Sequence, residues 1–210
     1  MITPDALGYL PETPSQTAGP FVHIGLIPRQ AGFDIFENNL GAITLGPEIK
    51  GERIRIEGRI YDGTGAVIRD ALVEIWQADS FGRFNHPAAQ GPGPRDAAFR
   101  GWGRTGTDFE TGTWSFNTIK PGRVARRHGE GRLAPHILIW IVARGINLGL
   151  LTRLYFADEP AANAEDPVLR LIEQPERRKT LIAQRVNGAD NTYVFDIHLQ
   201  GAEETVFFDV

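Results

Sequence analysis

The 210-residue chain has no cysteine and a single methionine. The first absence excludes disulfides and thiolate metal sites and fits a reducing compartment. Its longest strongly apolar stretch, "ILIWIVA", falls far short of the ~20 residues that a helix needs to cross a bilayer. Positive charge is not in excess either. A formal net charge of -4 and a pI near 5.8 give no general attraction to nucleic acid or anionic lipid, although Arg123, Arg126, Arg127 and Arg132 form a local basic cluster. Phosphate-cradling loops, nucleotide fingerprints and zinc-protease helices are all missing, and the glycines of "GWGRTGTD" lack the strand-to-helix setting such motifs need. The opening "MITPDALGYLPETPSQTAGP" carries acidic residues and four prolines where a signal peptide needs a basic start and an apolar run, so a cytoplasmic protein is expected.

What is present is an ordinary globular composition, 41% hydrophobic and 23% charged, in one domain spanning residues 1–210. The first thirty residues, rich in Pro, Thr and Gly, predict an extended arm, and residues 1–50 together an arm and partner-contacting segment. "AGFDIFENNL" is compatible with a short helix or a turn. Period-two alternation begins at "RIRIEGRIY", with Ile54, Ile56 and Ile60 on one face and Arg53, Arg55, Glu57 and Arg59 on the other. "ALVEIWQA", "GTWSFNTI", "HILIWIVARG", "LLTRLYF", "NTYVFDIHLQG" and "ETVFFDV" supply further short strands, dominated by aromatic and β-branched residues. Residues 81–106 read as a long loop, of a length that suggests function. Asp166 before Pro167 is a helix N-cap signal, and "PERRKTLIAQR" is a second candidate helix. The sum is an all-β fold: a β-sandwich of mostly antiparallel strands with an extended N-terminal arm and minor short helices.

Of the five histidines only His136 lies inside a run that must be buried, and the plain reading of one such histidine is a satisfied core or interface residue. The tyrosines and tryptophans alternate with apolar neighbours and read as packing residues. "GRVARRHGEGR" is most simply a solvated loop; its functional reading is a set of arginines that draws a small aromatic carboxylate toward a nearby mouth. Arg144, directly after the apolar strand, is a charge placed to meet a partner or a ligand.

Five segments carry a resemblance: "TPSQTAGPF", "GRIYDGTGAVIRDALVEIWQADSFGRF", "GRTGTDFETGTWSFNTIKPG", "APHILIWIVARGINLGLLTRLYF" and "EETVFFDV". In this order they resemble the intradiol ring-cleavage dioxygenases over nearly the whole chain. The resemblance implies a β-sandwich and, in the family, a non-haem Fe(III) held by two tyrosines and two histidines. Those ligand positions fall here on Phe84, Val124, His136 and Leu138, of which only His136 can bind a metal. Fe(III) favours anionic oxygen donors, and one imidazole does not hold it. A triad of His86, His128 and His136, suited to a softer divalent ion, is the remaining metal alternative. The resemblance therefore implies a catalytically inactive chain that binds no metal. It would pair with a homologous iron-bearing beta subunit, as alpha/beta pairs in a larger symmetric assembly, and the complex would act on 3,4-dihydroxybenzoate and O2. It further implies that Thr17, Gly19, Pro20, Phe21 and Arg144 line the substrate channel of the shared site, with no role for nucleic acid or membrane.

Overall fold

The computed structural model describes residues 16–19, 21–37, 41–89, 93–127, 129–186, 188 and 191–209. These residues form nine strands: β1 (Arg53–Tyr61), β2 (Leu72–Gln77), β3 (Trp102–Gly106), β4 (Thr113–Ile119), β5 (His136–Val142), β6 (Leu150–Phe156), β7 (Ile182–Arg185), β8 (Thr192–Val194) and β9 (Ile197–His198). They follow the hydrogen-bonded path β3-β2-β5-β6-β7-β8-β1-β4, with β9 also beside β1. Most pairings are antiparallel; β1 with β8, β1 with β9 and β6 with β7 are parallel.

β7 turns this path into two layers. Ile182 and Ala183 pair with Tyr155 and Phe156 of β6, whereas Gln184 and Arg185 pair with Val194 and Tyr193 of β8. One four-residue strand thus serves as the corner between the layers β3-β2-β5-β6 and β8-β1-β4. The alternation in β1 buries Ile54, Ile56 and Ile60, which meet Val73, Ile75, Ile137, Ile139, Ile141, Leu154 and Phe156 of the facing layer around Trp114 and Phe116. Burial of these side chains, each worth roughly 1.5–3 kcal/mol, is the main force holding the layers together. Inward Ile137, Ile139 and Ile141 fix the opposite set, His136, Leu138 and Trp140, on the outer face of β5.

Among the described residues, four short α-helices decorate the sandwich: α1 (Phe21–Leu26), α2 (Pro160–Glu165), α3 (Pro167–Leu171) and α4 (Pro175–Lys179). Asp166 caps α3 as its sequence predicts, accepting hydrogen bonds from the backbone N–H groups of Val168 and Leu169. Among the described residues, no helix is long and apolar enough to cross a membrane.

Several expectations are corrected. The arm is not wholly extended: Phe21–Leu26 is helical, and the following turn is pinned by buried Ile27 and by Gln30, which bonds the Gly106 N–H and the Thr107 carbonyl. The described part of "AGFDIFENNL" forms a turn and irregular chain rather than a helix, and residues 38–40 lie outside the described residues. The long loop ends early, because β3 pairs with β2 in the register Trp76 to Trp102. "PERRKTLIAQR" is helix only to Lys179. Thr180 closes that helix through its bonds to the Arg177 carbonyl, and the rest becomes β7. Described residues of "ETVFFDV" contribute a single bridge, Leu151 to Phe208.

Candidate functional sites

Chain register brings Phe84, Val124, His136 and Leu138, the positions that the resemblance assigns to metal ligands, to one end of the β5 outer face. Leu138 sits across from Trp76 of β2, and the Phe84 ring stacks on Trp76 with centroids 5.8 Å apart and planes 13° from parallel. His136 lies two residues away on the same face. Val124 joins through its carbonyl, which accepts from the Leu133 N–H at 2.7 Å, just ahead of β5. Gly82 lets the Phe84 segment come this close. Its φ is +79°, and a Cβ there would stand 2.0 Å from the Arg123 carbonyl oxygen.

The chemistry at this position does not fit iron. Phe84 and Leu138 are half-buried hydrocarbon and Val124 is aliphatic, so none of the three offers a donor atom. His136 is buried, and its Nδ1–H donates to the Ala134 carbonyl at 2.8 Å. Burial pushes its pKa down to about 4, with the Ala134 hydrogen bond opposing and nearby Arg153 assisting. The imidazole is neutral at physiological pH. No group of three or more His, Cys, Asp or Glu among the described residues could hold a metal ion. His86 is exposed, with its Nδ1 accepting from the Ala88 N–H at 3.1 Å, and His128 lies outside the described residues.

A second constellation forms at the other end of β5. The Thr17 hydroxyl accepts from the Gly145 N–H at 2.8 Å, tying the arm to the residue after Arg144. Arg144 is itself ion-paired through Nε with Asp70 in the β1–β2 connection, yet its side chain is 67% exposed. Gly19 caps the start of α1, its carbonyl accepting from the Val22 N–H, and Phe21 stands 78% exposed beside it. Pro20 lies outside the described residues. Buried His23 packs edge-on against Phe109, 5.4 Å between centroids. Burial lowers its pKa, while the Asp70 carboxylate pulls the other way.

His136 opens β5 and Arg144 follows its end, so roughly 25 Å of extended chain separates the two constellations, at ~3.3 Å per residue. Arg144 and Thr17 therefore cannot act on anything bound at the Phe84–His136 position. Sequence reasoning singled out both sets but missed the residues that fix them. Asp70 carries no signal in the sequence, and Asp166 reads only as a cap. Beyond its two cap bonds Asp166 also accepts from the Ala134 N–H and the Tyr155 hydroxyl, at 2.8 and 3.2 Å, locking the segment that carries His136.

A sequence model of a dioxygenase family matches residues 36–201. The protocatechuate 3,4-dioxygenase alpha chain of Pseudomonas putida is 50% identical, covering 95% of this chain and 97% of its own. The protocatechuate 3,4-dioxygenase beta chain of Burkholderia cepacia is 35% identical, covering 74% of this chain and 67% of its own. Among solved structures, catechol 1,2-dioxygenase from Acinetobacter sp. ADP1 shares the sandwich fold, with a TM-score of 0.55 at 23% identity over 73% of this chain and 54% of that one. A family model covering most of the chain and a near-full-length relative sharing half its residues lead to the same conclusion: the chain belongs to the intradiol dioxygenases, a family that depends on non-haem iron.

Proposed function

We propose that this chain is the alpha subunit of a protocatechuate 3,4-dioxygenase, paired with a homologous beta subunit that carries the iron. The observation that supports this most is the separation of the two constellations. Arg144 and the described part of the arm gather at an end of the sandwich that, among the described residues, has no group of three or more metal-ligating side chains, and the position where the family keeps its metal has none of the phenolates. A positive charge and an arm so placed are useful to a site completed by another chain. Large apolar side chains left exposed agree with a contact to another chain: Phe21 and Leu148 are each 78% exposed, and Ile35 is 65% exposed.

In this reading protocatechuate and O2 meet at the shared site. The ring opens between the hydroxyl-bearing carbons to give 3-carboxy-cis,cis-muconate, with Fe(III) of the beta subunit supplying Lewis-acid chemistry. This chain contributes binding and shape. Arg144 presents its guanidinium to the ring carboxylate, and the Thr17–Gly145 hydrogen bond holds the arm against the base of that arginine. Thr17, Gly19, Pro20 and Phe21 form the alpha side of the channel. The pairs assemble into a larger symmetric particle, and the complex is cytoplasmic.

The test is steady-state kinetics of the assembled complex with Arg144→Gln. KM for protocatechuate should rise about tenfold, the loss of one charge-assisted contact, while KM for uncarboxylated catechol stays close to its original value. An unchanged KM for protocatechuate contradicts the role of Arg144.

A further inference from the structure

The ion pair between Arg144 and Asp70 is poorly placed for stability. The arginine side chain is 67% exposed and that of Asp70 27%, and a pair so wetted contributes little to holding a fold. The backbone behind it, by contrast, is anchored on both sides. Ala71, next to Asp70, is fully buried; its N–H donates to the Thr107 hydroxyl and its carbonyl accepts from the Thr107 N–H. Before Arg144, Ala143 is buried, and after it the Gly145 N–H is tied to Thr17. What remains free is the long arginine side chain itself. Asp70 meets it at Nε, the inner nitrogen of the guanidinium. That leaves the outer edge of the fork, one N–H from each terminal nitrogen, to a second carboxylate. The nearby His23 ring does not compete for Asp70 at physiological pH, because burial lowers its pKa from the ordinary 6.5.

We propose that Asp70 is a positioning residue, which holds Arg144 by Nε so that the outer edge of the guanidinium faces the carboxylate of the substrate. This rests on the reading of Arg144 as the contact for that carboxylate. The arrangement carries an electrostatic penalty. A carboxylate touching Arg144 cancels much of its field at a distance, so an arginine used as a bare positive charge would attract an anion better without Asp70. Orientation makes the opposite demand. A bidentate contact needs the planar fork held in one direction, and a long side chain in solvent does not keep one unaided. The two roles therefore differ in sign: removal of the Asp70 charge strengthens binding to a bare charge and weakens binding to an oriented fork.

The test is steady-state kinetics of the assembled complex with Asp70→Asn, which keeps the shape and removes the charge. KM for protocatechuate should rise roughly fourfold, with kcat changing less than KM, while KM for uncarboxylated catechol holds. Asp70→Glu keeps an acceptor for Nε, and its KM for protocatechuate should lie within about twofold of the parent value. In an Arg144→Gln background Asp70→Asn should bring no further rise, because Asp70 acts through the arginine. A KM for protocatechuate that falls or stays level in Asp70→Asn, while Arg144→Gln raises it, overturns the positioning role and leaves Arg144 as a plain charge. An equal rise for catechol assigns Asp70 to the fold and overturns the role as well. If Arg144→Gln has no effect of its own, the reading of Arg144 fails, and the role of Asp70 fails with it.

Discussion

Asp166 shows how much of this fold can depend on one side chain. It is buried, and its two oxygens take hydrogen bonds from the backbone of Val168, Leu169 and Ala134 and from the Tyr155 hydroxyl. Asp166→Ala strips four donors of their acceptor, and a loss on the order of 3 kcal/mol is expected in urea unfolding. A loss below roughly 1 kcal/mol would show that solvent replaces the carboxylate. Only the cap was legible in the sequence, through the Asp-Pro pair. The bond to Ala134 joins residues 32 apart in the chain, and no local pattern reports it.

His136 makes a second prediction at this scale. Its folded pKa, about 4, lies below the ordinary histidine value of 6.5 because burial disfavours the charged ring. The unfolded chain therefore binds this proton first as pH falls. Stability attributable to His136 is intact above pH 6.5 and declines as pH drops toward 4, by up to about 3 kcal/mol. His136→Leu should flatten the pH dependence of the unfolding free energy in that window. An unaltered slope would mean that other groups set it.

At the scale of elements, the strands legible in the sequence were β1, β2, β4, β5 and β6, each with an alternating apolar face, and the segment "NTYVFDIHLQG", which the structure divides into β8 and β9. β3 escaped because "WGRTG" has two glycines and no alternation. Gly103 is there because a Cβ would stand 2.7 Å from the Ile43 side chain. β7 escaped because only two residues separate it from α4 and its short pairing is decided by two distant strands, β6 and β8. Such tertiary decisions override local propensity.

Glycines offer a direct check on these elements. In the middle of β1, a Cβ on Gly58 would stand 1.9 Å from the Phe195 carbonyl oxygen, so the strands must part to admit it. Gly58→Ala should cost about 2–4 kcal/mol, whereas Gly25→Ala in α1, where nothing lies within 4 Å, should add about 0.5–1 kcal/mol. Thermal unfolding of the two variants decides this. A neutral Gly58→Ala would contradict the close approach of β1 to the chain at Phe195.

For the whole molecule, the fold class and the two sets of candidate residues could be read from sequence through the family resemblance. The distance between the sets could not. Phe84, Val124 and Leu138, at the positions that the resemblance assigns to metal ligands, offer no donor atom whichever way the chain folds. Only the direction of β5 shows that Arg144 and the arm point to a different place.

The most direct test of the account is iron content. This chain, expressed alone, and its co-expressed complex with the beta subunit would each be assayed for bound iron and for tyrosinate-to-iron absorption in the visible. The account predicts a colourless, iron-free chain and a coloured complex with stoichiometric iron per alpha/beta pair. Near-stoichiometric iron on the lone chain would contradict it, because Phe84, Val124 and Leu138 offer no donor atoms to hold the metal.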